Sequence, residues 1–398
     1  MKKVLFVIPT MRMGGAEKAL VSLLRSLDPE RLGISLLLFE TGGVLQQEIP
    51  SHVEIIEADP ITRGMVLELR CYIKDMIRLG YYLAALDRFR ISLRSKRGKK
   101  QFAWDTIRRH IPELQGHYDV AIGFLEGFTD FYVIDKVNAD RKIGWIHTEM
   151  SNSVQSGMES KYYLQFDRIV TITELCKKAF LNIYPEACDK IEVIENIVSS
   201  EDVLKKAETP IDSLWDKDTC RIVTVGRLEY VKGIDIAVKA CAKVKEKGYD
   251  ITWHVFGEGS IKKELERLIK KLKLEDCFIL EGLTANPYPY MKKADIIVQS
   301  SRNEGKSIVL DEAKILGKAI VVTRYSSVFD QIRDGETGII TDFTPESLAS
   351  GIIRLIEELS FRRLLEQNCR KDKTQSDITL NLVYKLIEGN RGEDFVEY

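Results

Sequence analysis

Short runs of β-branched and apolar residues alternate with longer amphipathic runs along the chain. In the C-terminal half the strand-like runs are RIVTVG, ITWHVFG, CFILEG, DIIVQS and AIVVT. Amphipathic stretches such as DIAVKACAKVKEKG and SIVLDEAKILG lie between them, and Gly248 and Gly317 follow the last periodic positions of these two helices. This alternation predicts βαβ units and a parallel sheet covered by helices on both faces.

The N-terminal half repeats the pattern less regularly, with strand-like runs KVLFVIP, GISLLLFE, VEIIEA, YDVAIGFL, RKIGWIH, RIVTIT and IEVIENI. Residues 201–219 are polar without an apolar period, which predicts a linker. We therefore expect an α/β protein with Rossmann-like parallel-sheet domains over residues 1–200 and 220–376. Ligands of such sheets bind at the carboxyl ends of the strands, so a cleft between the two domains is the expected site.

Composition excludes several classes of protein. The 398 residues are 44% hydrophobic and 30% charged, which is typical of a folded globular chain, and the net charge of −1 gives no reason to expect a nucleic acid partner. The first apolar run is closed by Pro9 and is too short for a signal peptide, and no run approaches the roughly 18 apolar residues of a membrane span. Seven scattered cysteines without a C-x-x-C pair predict reduced thiols and a cytoplasmic location.

Residues 60–117 depart from the strand–helix alternation. They contain 13 Lys and Arg against 5 Asp and Glu, interleaved with large apolar residues at helical spacing. Such a basic amphipathic stretch suits an anionic membrane surface, which would make the protein peripheral on the inner face of the plasma membrane. A solvated helical insertion is the alternative.

The segment VGRLEYVKGID places two cations where a buried strand gives way to a helix. The strand ends at Gly226, Arg227 follows directly, and Lys232 precedes a helix that Asp235 is expected to cap. A single exposed Arg or Lys is usually just solvated. Two of them at the carboxyl edge of a parallel sheet favour a diphosphate site.

The segment SRNEGKSIVLDEA holds two glutamates, Glu304 and Glu312. Glu312 lies on a helix that is expected to start after Ser307, with Ser307 as the N-cap. All neighbours of Glu312 three and four positions away are apolar. A buried carboxylate needs a partner. The sequence leaves two choices, an internal salt bridge to Arg324 or Arg227, or hydrogen bonds from a ligand diol such as a ribose.

Three further positions carry weaker signals. Glu304 lies in the loop before that helix, where free N–H groups can face an anion or sugar hydroxyls, although a loop glutamate faces solvent by default. Gly14 and Gly15 form a strand–loop–helix junction that resembles a phosphate cradle without being the G-x-G-x-x-G fingerprint. His147 follows a strand of the N-terminal domain at the edge that faces the expected cleft.

The glycine pair, the histidine, the cations and the glutamates together resemble the retaining glycosyltransferases of family four, of the bacterial polysaccharide and glycolipid biosynthesis type. The resemblance covers nearly the whole chain, is strongest over residues 221–342 and is weakest over residues 60–117. It implies the GT-B fold, in which two Rossmann-like domains face each other across a cleft, and a C-terminal helix over residues 377–398 that crosses back to the N-terminal domain.

The resemblance implies a donor site for a nucleotide-diphosphate-sugar, most often a UDP-sugar. Arg227 and Lys232 would neutralise the diphosphate and Glu312 would hold the ribose hydroxyls. Glu304 and the residues after it would bind the donor sugar. Those following residues are Gly305, Lys306, Ser307 and Ile308. His147 would reach the sugar from the other domain.

The implied activity is that of a hexosyltransferase that moves the sugar to a glycan or lipid-linked acceptor with retention of anomeric configuration. The loop of Gly14 and Gly15 would close over the phosphates, and Glu126 is a candidate for contacting the acceptor. Four residues would be catalytic: Arg227, Lys232, Glu304 and His147. No metal and no cofactor is expected, since the donor is a substrate.

One departure and two alternatives stay open. Lys306 stands where the family more often has an apolar residue, and it would contact an acidic donor sugar or a phosphate, or be solvated. A GT-B nucleotide-sugar epimerase and a non-catalytic GT-B partner subunit would share the fold. The second would be expected to lack Glu304, Arg227 or Lys232, all of which are present.

Overall fold

The structure is a computed structural model. It describes residues 1–12, 14–64, 69–95, 100–150, 160–211, 219–372 and 376–389, and within these ranges the side chains of 93–95, 100–103, 160–161 and 376–377 are not described. Parts of the predicted basic stretch and of the predicted linker, residues 65–68, 96–99 and 212–218, therefore lie outside the described residues. The chain divides into two compact units, Met1–Ile197 with Asp377–Tyr398, and Val198–Ser376.

The N-terminal unit is built on a parallel seven-stranded sheet in the order β3-β2-β1-β4-β5-β6-β7. Its strands are β1 Lys2–Thr10, β2 Leu32–Glu40, β3 Glu54–Glu57, β4 Tyr118–Gly123, β5 Ala139–Ile146, β6 Arg168–Thr171 and β7 Ile191–Val193. Each coincides with one of the predicted strand-like runs. Inner strands such as β1 and β2 are apolar along most of their length because helices cover both faces, whereas the edge strand β3 is largely exposed.

The helices of this unit connect and cover the strands. They are α1 Gly15–Ser26, α2 Pro60–Arg63, α3 Leu69–Arg78, α4 Tyr82–Ser95, α5 Lys100–Ile107, α6 Phe128–Lys136, α7 Ser160–Tyr163 and α8 Glu174–Ile183. In α1 the buried residues Leu20, Leu23 and Leu24 recur at helical spacing, which turns one face of the helix toward the core.

The C-terminal unit is built on a parallel six-stranded sheet in the order β10-β9-β8-β11-β12-β13. Its strands are β8 Cys220–Val225, β9 Ile251–Phe256, β10 Phe278–Gly282, β11 Ile296–Gln299, β12 Ala319–Thr323 and β13 Ile339–Thr341. The short edge strand β13 is the addition to the predicted set, since three residues are too few to show a period.

The helices of this unit are α9 Ser200–Ala207, α10 Ile234–Glu246, α11 Lys262–Lys271, α12 Tyr288–Lys293, α13 Ile308–Ile315, α14 Pro345–Glu357 and α15 Leu359–Lys371. Gly248 and Gly317 follow α10 and α13 with φ of 87° and 61°, the left-handed conformation of a helix C-terminus. The predicted helix ends at these two glycines are confirmed.

Helix α9 lies within the stretch that was expected to be a linker. The Ser199 hydroxyl caps it by accepting from the Asp202 N–H, and Val203 and Ala207 are buried one turn apart. It packs against α12 and α13 of the same unit. Two buried positions are too few to stand out as an apolar period, which is why the sequence shows no helix here.

The last described helix, α16 Ser376–Glu388, belongs to the N-terminal unit. Val383 and Ile387 are fully buried, and the Lys2 ammonium donates to the Glu388 carbonyl oxygen at 2.7 Å. The Arg141 guanidinium donates to the Leu386 carbonyl oxygen at 3.0 Å. Across the described ranges, no helix combines the length and apolar content needed to cross a membrane.

Candidate functional site

The two central strands of the C-terminal unit define its topological switch point. The chain leaves β8 toward β9 on one side and leaves β11 toward β12 on the other, while β8 and β11 are paired. The loops after these strands therefore diverge and leave a crevice at the carboxyl edge, which is where open parallel sheets bind ligands. Arg227 and Lys232 follow β8, and Glu304 follows β11.

Lys232 and Glu304 meet at this switch point. The Lys232 Nζ lies 2.6 Å from the Glu304 Oε1, with side-chain exposures of 23% and 12%. The same oxygen accepts from the Ser301 hydroxyl at 2.6 Å and from the Gln299 amide at 3.0 Å. Glu304 is thus held in one position by three donors, and the default expectation that it faces solvent is wrong. Arg227 is exposed.

Gly233 allows the β8 loop to lie against the end of β11. Its φ is 62°, and a Cβ at this position would lie 1.9 Å from the Ser300 carbonyl oxygen. The Ser300 hydroxyl donates to the Lys232 carbonyl oxygen at 3.1 Å, which ties the two loops together. The backbone next to Lys232 can approach β11 this closely only with glycine at position 233.

The predicted cap at Asp235 is wrong. Helix α10 begins at Ile234 with Gly233 as its N-cap, and Asp235 lies in the first turn. Its two carboxylate oxygens accept from the two terminal nitrogens of Arg302, each at 2.8 Å. Burial raises the pKa of Asp235, but the hydrogen bonds and charge of Arg302 outweigh burial and the pKa is lowered. This pair is a second link between the two loops.

Glu312 is 1% exposed on α13, as its apolar neighbours predict. Its Oε1 accepts from the Tyr288 hydroxyl, at the start of α12, at 2.8 Å. Arg324, one of the salt-bridge partners considered for it, pairs instead with Asp342 at 2.8 Å. Sequence reasoning missed Tyr288, because nothing in its local segment indicates a contact with a residue 24 positions away.

The loop from Gly305 to Ile308 is pinned by side chains of the strands and loops around it. Ser307 precedes α13 as predicted, but its hydroxyl donates to the Gln299 Oε1 at 2.6 Å and makes no side-chain cap. The Ser307 N–H donates to the Gln331 Oε1 at 2.7 Å. The expected capping role of the Ser307 side chain is therefore wrong, although the position of the helix start is right.

Lys306 points inward. Its side chain is 8% exposed, and its Nζ lies 3.8 Å from the Asp311 Oδ2, whose side chain is 7% exposed. Both groups are therefore largely removed from water, which excludes the alternative that Lys306 is solvated. The positive charge stands within the loop that carries Glu304.

The N-terminal unit places its candidate residues after three adjacent strands, β1, β4 and β5. Gly14 is the N-cap of α1 and Gly15 its first residue, and the Lys18 N–H donates to the Gly14 carbonyl oxygen at 3.1 Å. A Cβ on Gly14 would lie 2.1 Å from the Glu17 carboxylate. The predicted strand–loop–helix junction is present, with its loop residue Met13 outside the described residues.

Glu126 and His147 are brought together after β4 and β5. The Glu126 Oε2 accepts from the His147 backbone N–H at 3.0 Å, and its Oε1 accepts from the Thr148 hydroxyl at 2.8 Å. Glu126, a candidate for contacting the acceptor, thus holds the loop that carries His147. This link was not expected from the sequence.

The His147 imidazole is buried against Phe124 and Trp145, with ring centroids 4.7 Å and 6.4 Å away. Neither ring nitrogen has a hydrogen-bond partner in the described parts of the chain. Burial lowers the pKa of His147 to about 4, and the opposing effect of the Glu126 carboxylate does not offset it. The ring is therefore neutral at neutral pH, with one nitrogen a donor and the other an acceptor.

Several residues around the switch point of the C-terminal unit escaped sequence reasoning. They share a supporting role, since each holds a predicted residue in place: Gln299, Ser301, Arg302, Tyr288 and Gln331. Gln299 and Ser301 could have been found from their position in the sequence, because they are polar residues at the carboxyl end of the apolar strand β11.

Comparison with known proteins finds similarity to glycosyltransferases. Residues 205–372 match the family described as glycosyl transferases group 1. A Campylobacter jejuni enzyme, N-acetylgalactosamine-N,N'-diacetylbacillosaminyl-diphospho-undecaprenol 4-alpha-N-acetylgalactosaminyltransferase, is 32% identical over 191 residues, which are 48% of this chain and 50% of that protein. The chain spans 50–65% of the length of the first three curated relatives it matches.

Solved structures share the fold at low identity. Anabaena Alr3699/HepE in complex with UDP-glucose has a TM-score of 0.68 at 17% identity, covering 98% of this chain and 100% of that one. A Staphylococcus aureus TarM complex that contains UDP has a TM-score of 0.70 at 15% identity, covering 97% and 100%. Residues 205–372 are thus similar to the glycosyl transferases group 1 family, and the two parallel-sheet units have the GT-B fold.

Proposed function

We propose that this protein is a glycosyltransferase that moves a hexose from a UDP-sugar to a glycan or lipid-linked acceptor. The observation that carries the proposal is the pairing of Lys232 with Glu304 at the switch point of the C-terminal unit. The C. jejuni relative is named for transfer to a diphospho-undecaprenol-linked saccharide, and the Anabaena structure contains UDP-glucose, which supports both substrate classes.

Donor binding follows from the charges at the switch point. The Lys232 ammonium has three N–H donors, and Glu304 accepts from it. The remaining donors and the exposed Arg227 are free to bind the two phosphates of the donor. Glu312, buried on α13, would accept from the ribose hydroxyls, and Glu304 with the backbone from Gly305 to Ile308 would bind the sugar.

The chemical step requires stabilisation of the nucleoside diphosphate as it leaves. Cations already held in place before the reaction stabilise this developing charge without reorganisation. Arg227 and Lys232 would do this without a metal ion. Attack by the acceptor on the leaving-group face would retain the anomeric configuration.

The test is turnover by the purified chain and by Lys232→Ala. We expect UDP release from UDP-sugars in the presence of lipid-linked saccharide acceptors, unchanged by EDTA, and a loss of at least about 100-fold in Lys232→Ala. Lys247→Ala, which removes an exposed cation beyond the far end of α10, is the matched control and should be active.

Near-normal turnover in Lys232→Ala would contradict the assignment of the diphosphate site. Nucleotide binding without any turnover across the acceptor panel would favour a non-catalytic partner subunit. A loss of activity in EDTA that Mg²⁺ restores would refute the metal-independent mechanism while leaving the donor site intact.

A further inference from the structure

Large exposed apolar side chains concentrate on one helical hairpin, formed by α3, α4 and the turn between them. The group includes Ile77, Leu79, Tyr82, Leu83, Leu86 and Phe89, and Tyr82 and Leu83 are 66% and 69% exposed. Elsewhere in the described residues such side chains are spread along the chain, with no comparable run. An apolar group of this density at a surface marks an interaction site.

The spacing on α4 shows that these side chains do not pack into the core of the N-terminal unit. Tyr82, Leu86 and Phe89 are four and three positions apart and share one face of the helix. The opposite face carries Ala84 and Ile91, which are buried in the core of the N-terminal unit. The helix therefore has two apolar faces, one buried inside the unit and one exposed.

Cations line the same hairpin. Arg70, Lys74 and Arg78 recur every four positions on α3 and are exposed, so they form a stripe along that helix. Within the described part of the chain none of the three has an ion-pair partner. Arg90 follows Phe89 on α4 and is 61% exposed at its side chain. The exposed acid on α3 is Asp75.

We propose that this hairpin surface, the exposed face of residues 70–90, docks on an anionic phospholipid membrane. The apolar side chains at the turn and along α4 enter the interfacial region, and the cations of α3 contact lipid phosphates. A second copy of this chain is a poor occupant, because a two-fold contact would bring the same cationic stripes together. The proposal rests on this surface alone and holds independently of sugar transfer.

The test is co-sedimentation of the full chain with vesicles of phosphatidylcholine alone and of phosphatidylcholine with phosphatidylglycerol. We expect binding to the anionic vesicles and little to the neutral ones. Raising the salt to 1 M should release the protein, since surface charges are then screened within about 3 Å.

The charge variant Arg70→Gln with Lys74→Gln and Arg78→Gln should bind anionic vesicles about 100-fold more weakly, because each cation near such a surface is worth about fivefold. Its matched control changes a stripe with the same four-residue spacing on α11, by Lys263→Gln with Arg267→Gln and Lys271→Gln. The control loses the same net charge and should bind like the wild type.

The apolar variant combines Tyr82→Ser, Leu83→Ser and Leu86→Ser, and it should also lose binding. Its control combines Leu204→Ser, Leu283→Ser and Leu359→Ser, at leucines that are 49–50% exposed outside the hairpin. All replaced residues are exposed, so thermal unfolding of the variants should match that of the wild type.

Three results would overturn the proposal. The first is equal loss of binding in the charge variant and its control, which would indicate an effect of net charge alone. The second is equal binding to neutral and anionic vesicles, or none to either. The third is a dimer in sedimentation equilibrium that the apolar variant dissociates, which would make the hairpin a contact between copies of the chain.

Discussion

His147 is a buried histidine whose surroundings oppose its protonation. Its ring lies among aromatic side chains, and its backbone N–H is tied to Glu126. Because burial lowers the pKa of the ring to about 4, while the pKa of an unfolded histidine is about 6.5, the folded chain binds fewer protons between these two values. The stability that neutral His147 confers is complete above the unfolded pKa and is lost as the pH falls.

We therefore expect acidification from pH 7 to pH 5 to lower the free energy of unfolding by about 2 kcal/mol through His147. His147→Phe should remove that part of the pH dependence, since a phenyl ring fits the same aromatic surroundings without titrating. The measurement is urea unfolding at a series of pH values. His52→Phe, at an exposed histidine, should retain the wild-type slope. An unchanged slope in His147→Phe would show that His147 titrates normally.

At the residue scale, the sequence predicted burial better than it predicted side-chain orientation. The burial of Glu312 followed from its apolar neighbours at helical spacing and is confirmed. The orientations of the Glu304 and Lys306 side chains could not be predicted from the sequence, because both residues lie in a loop without periodicity. Their partners, Lys232 and Asp311, are set by how loops fold over the end of the sheet. The predicted ligand roles of all these residues remain predictions.

At the scale of elements, the junction between β8 and α10 decides the geometry of the donor site. The short turn that ends in Lys232 reverses through Gly233 and abuts the end of β11. The Asp235–Arg302 pair joins the same two loops. The position of Lys232 relative to Glu304 therefore depends on a backbone contact as well as on side chains.

Gly233→Ala should destabilise the protein more than Gly248→Ala does. Both glycines have positive φ, so each substitution strains the backbone by about 1–2 kcal/mol. A Cβ at Gly248 meets nothing within 4 Å, whereas at Gly233 it meets the Ser300 carbonyl oxygen. Thermal unfolding should show a loss for Gly233→Ala at least twice that for Gly248→Ala, together with weaker UDP binding. Equal losses of thermal stability would mean that the close contact between Gly233 and Ser300 does not stabilise the protein.

The elements themselves were largely predictable. Every strand-like run forms a strand, since parallel strands buried on both faces need continuous apolar runs. The short strand β13 and helix α9 escaped because each buries too few residues to show a period. Helix starts were located to within a residue or two, but the capping side chains were not. Ser307 and Asp235 both find stronger partners in neighbouring segments.

At the scale of the molecule, the N-terminal unit contains the end of the chain as well as its beginning. Helix α16 closes the unit with buried Val383 and Ile387 and with hydrogen bonds from Lys2 and Arg141 to its last turn. A helix in this region was expected from the family resemblance. Its specific partners on β1 and β5 were not, because they are more than 240 positions away.

Ile387→Ala should destabilise the N-terminal unit by about 2–5 kcal/mol, as the loss of a fully buried isoleucine does. Hydrogen exchange should accelerate in β1 and β5 and stay unchanged in β8 and β11. Ile378→Ala on the same helix, at a side chain that is 59% exposed, should change stability by less than about 0.5 kcal/mol. Faster exchange confined to the C-terminal unit would contradict the assignment of α16.

The most direct test of the donor site is a thermal-shift screen of UDP, GDP and their sugars against the wild type and Glu312→Ala. A ligand at 100 times its dissociation constant adds about 2.7 kcal/mol of stability. Tyr288→Phe, which removes the hydroxyl that donates to Glu312 but keeps the carboxylate, controls for disturbance of α13. We predict stabilisation of the wild type and of Tyr288→Phe by a UDP-sugar, and its loss in Glu312→Ala. No shift of the wild type with any nucleotide would contradict the donor site at the switch point.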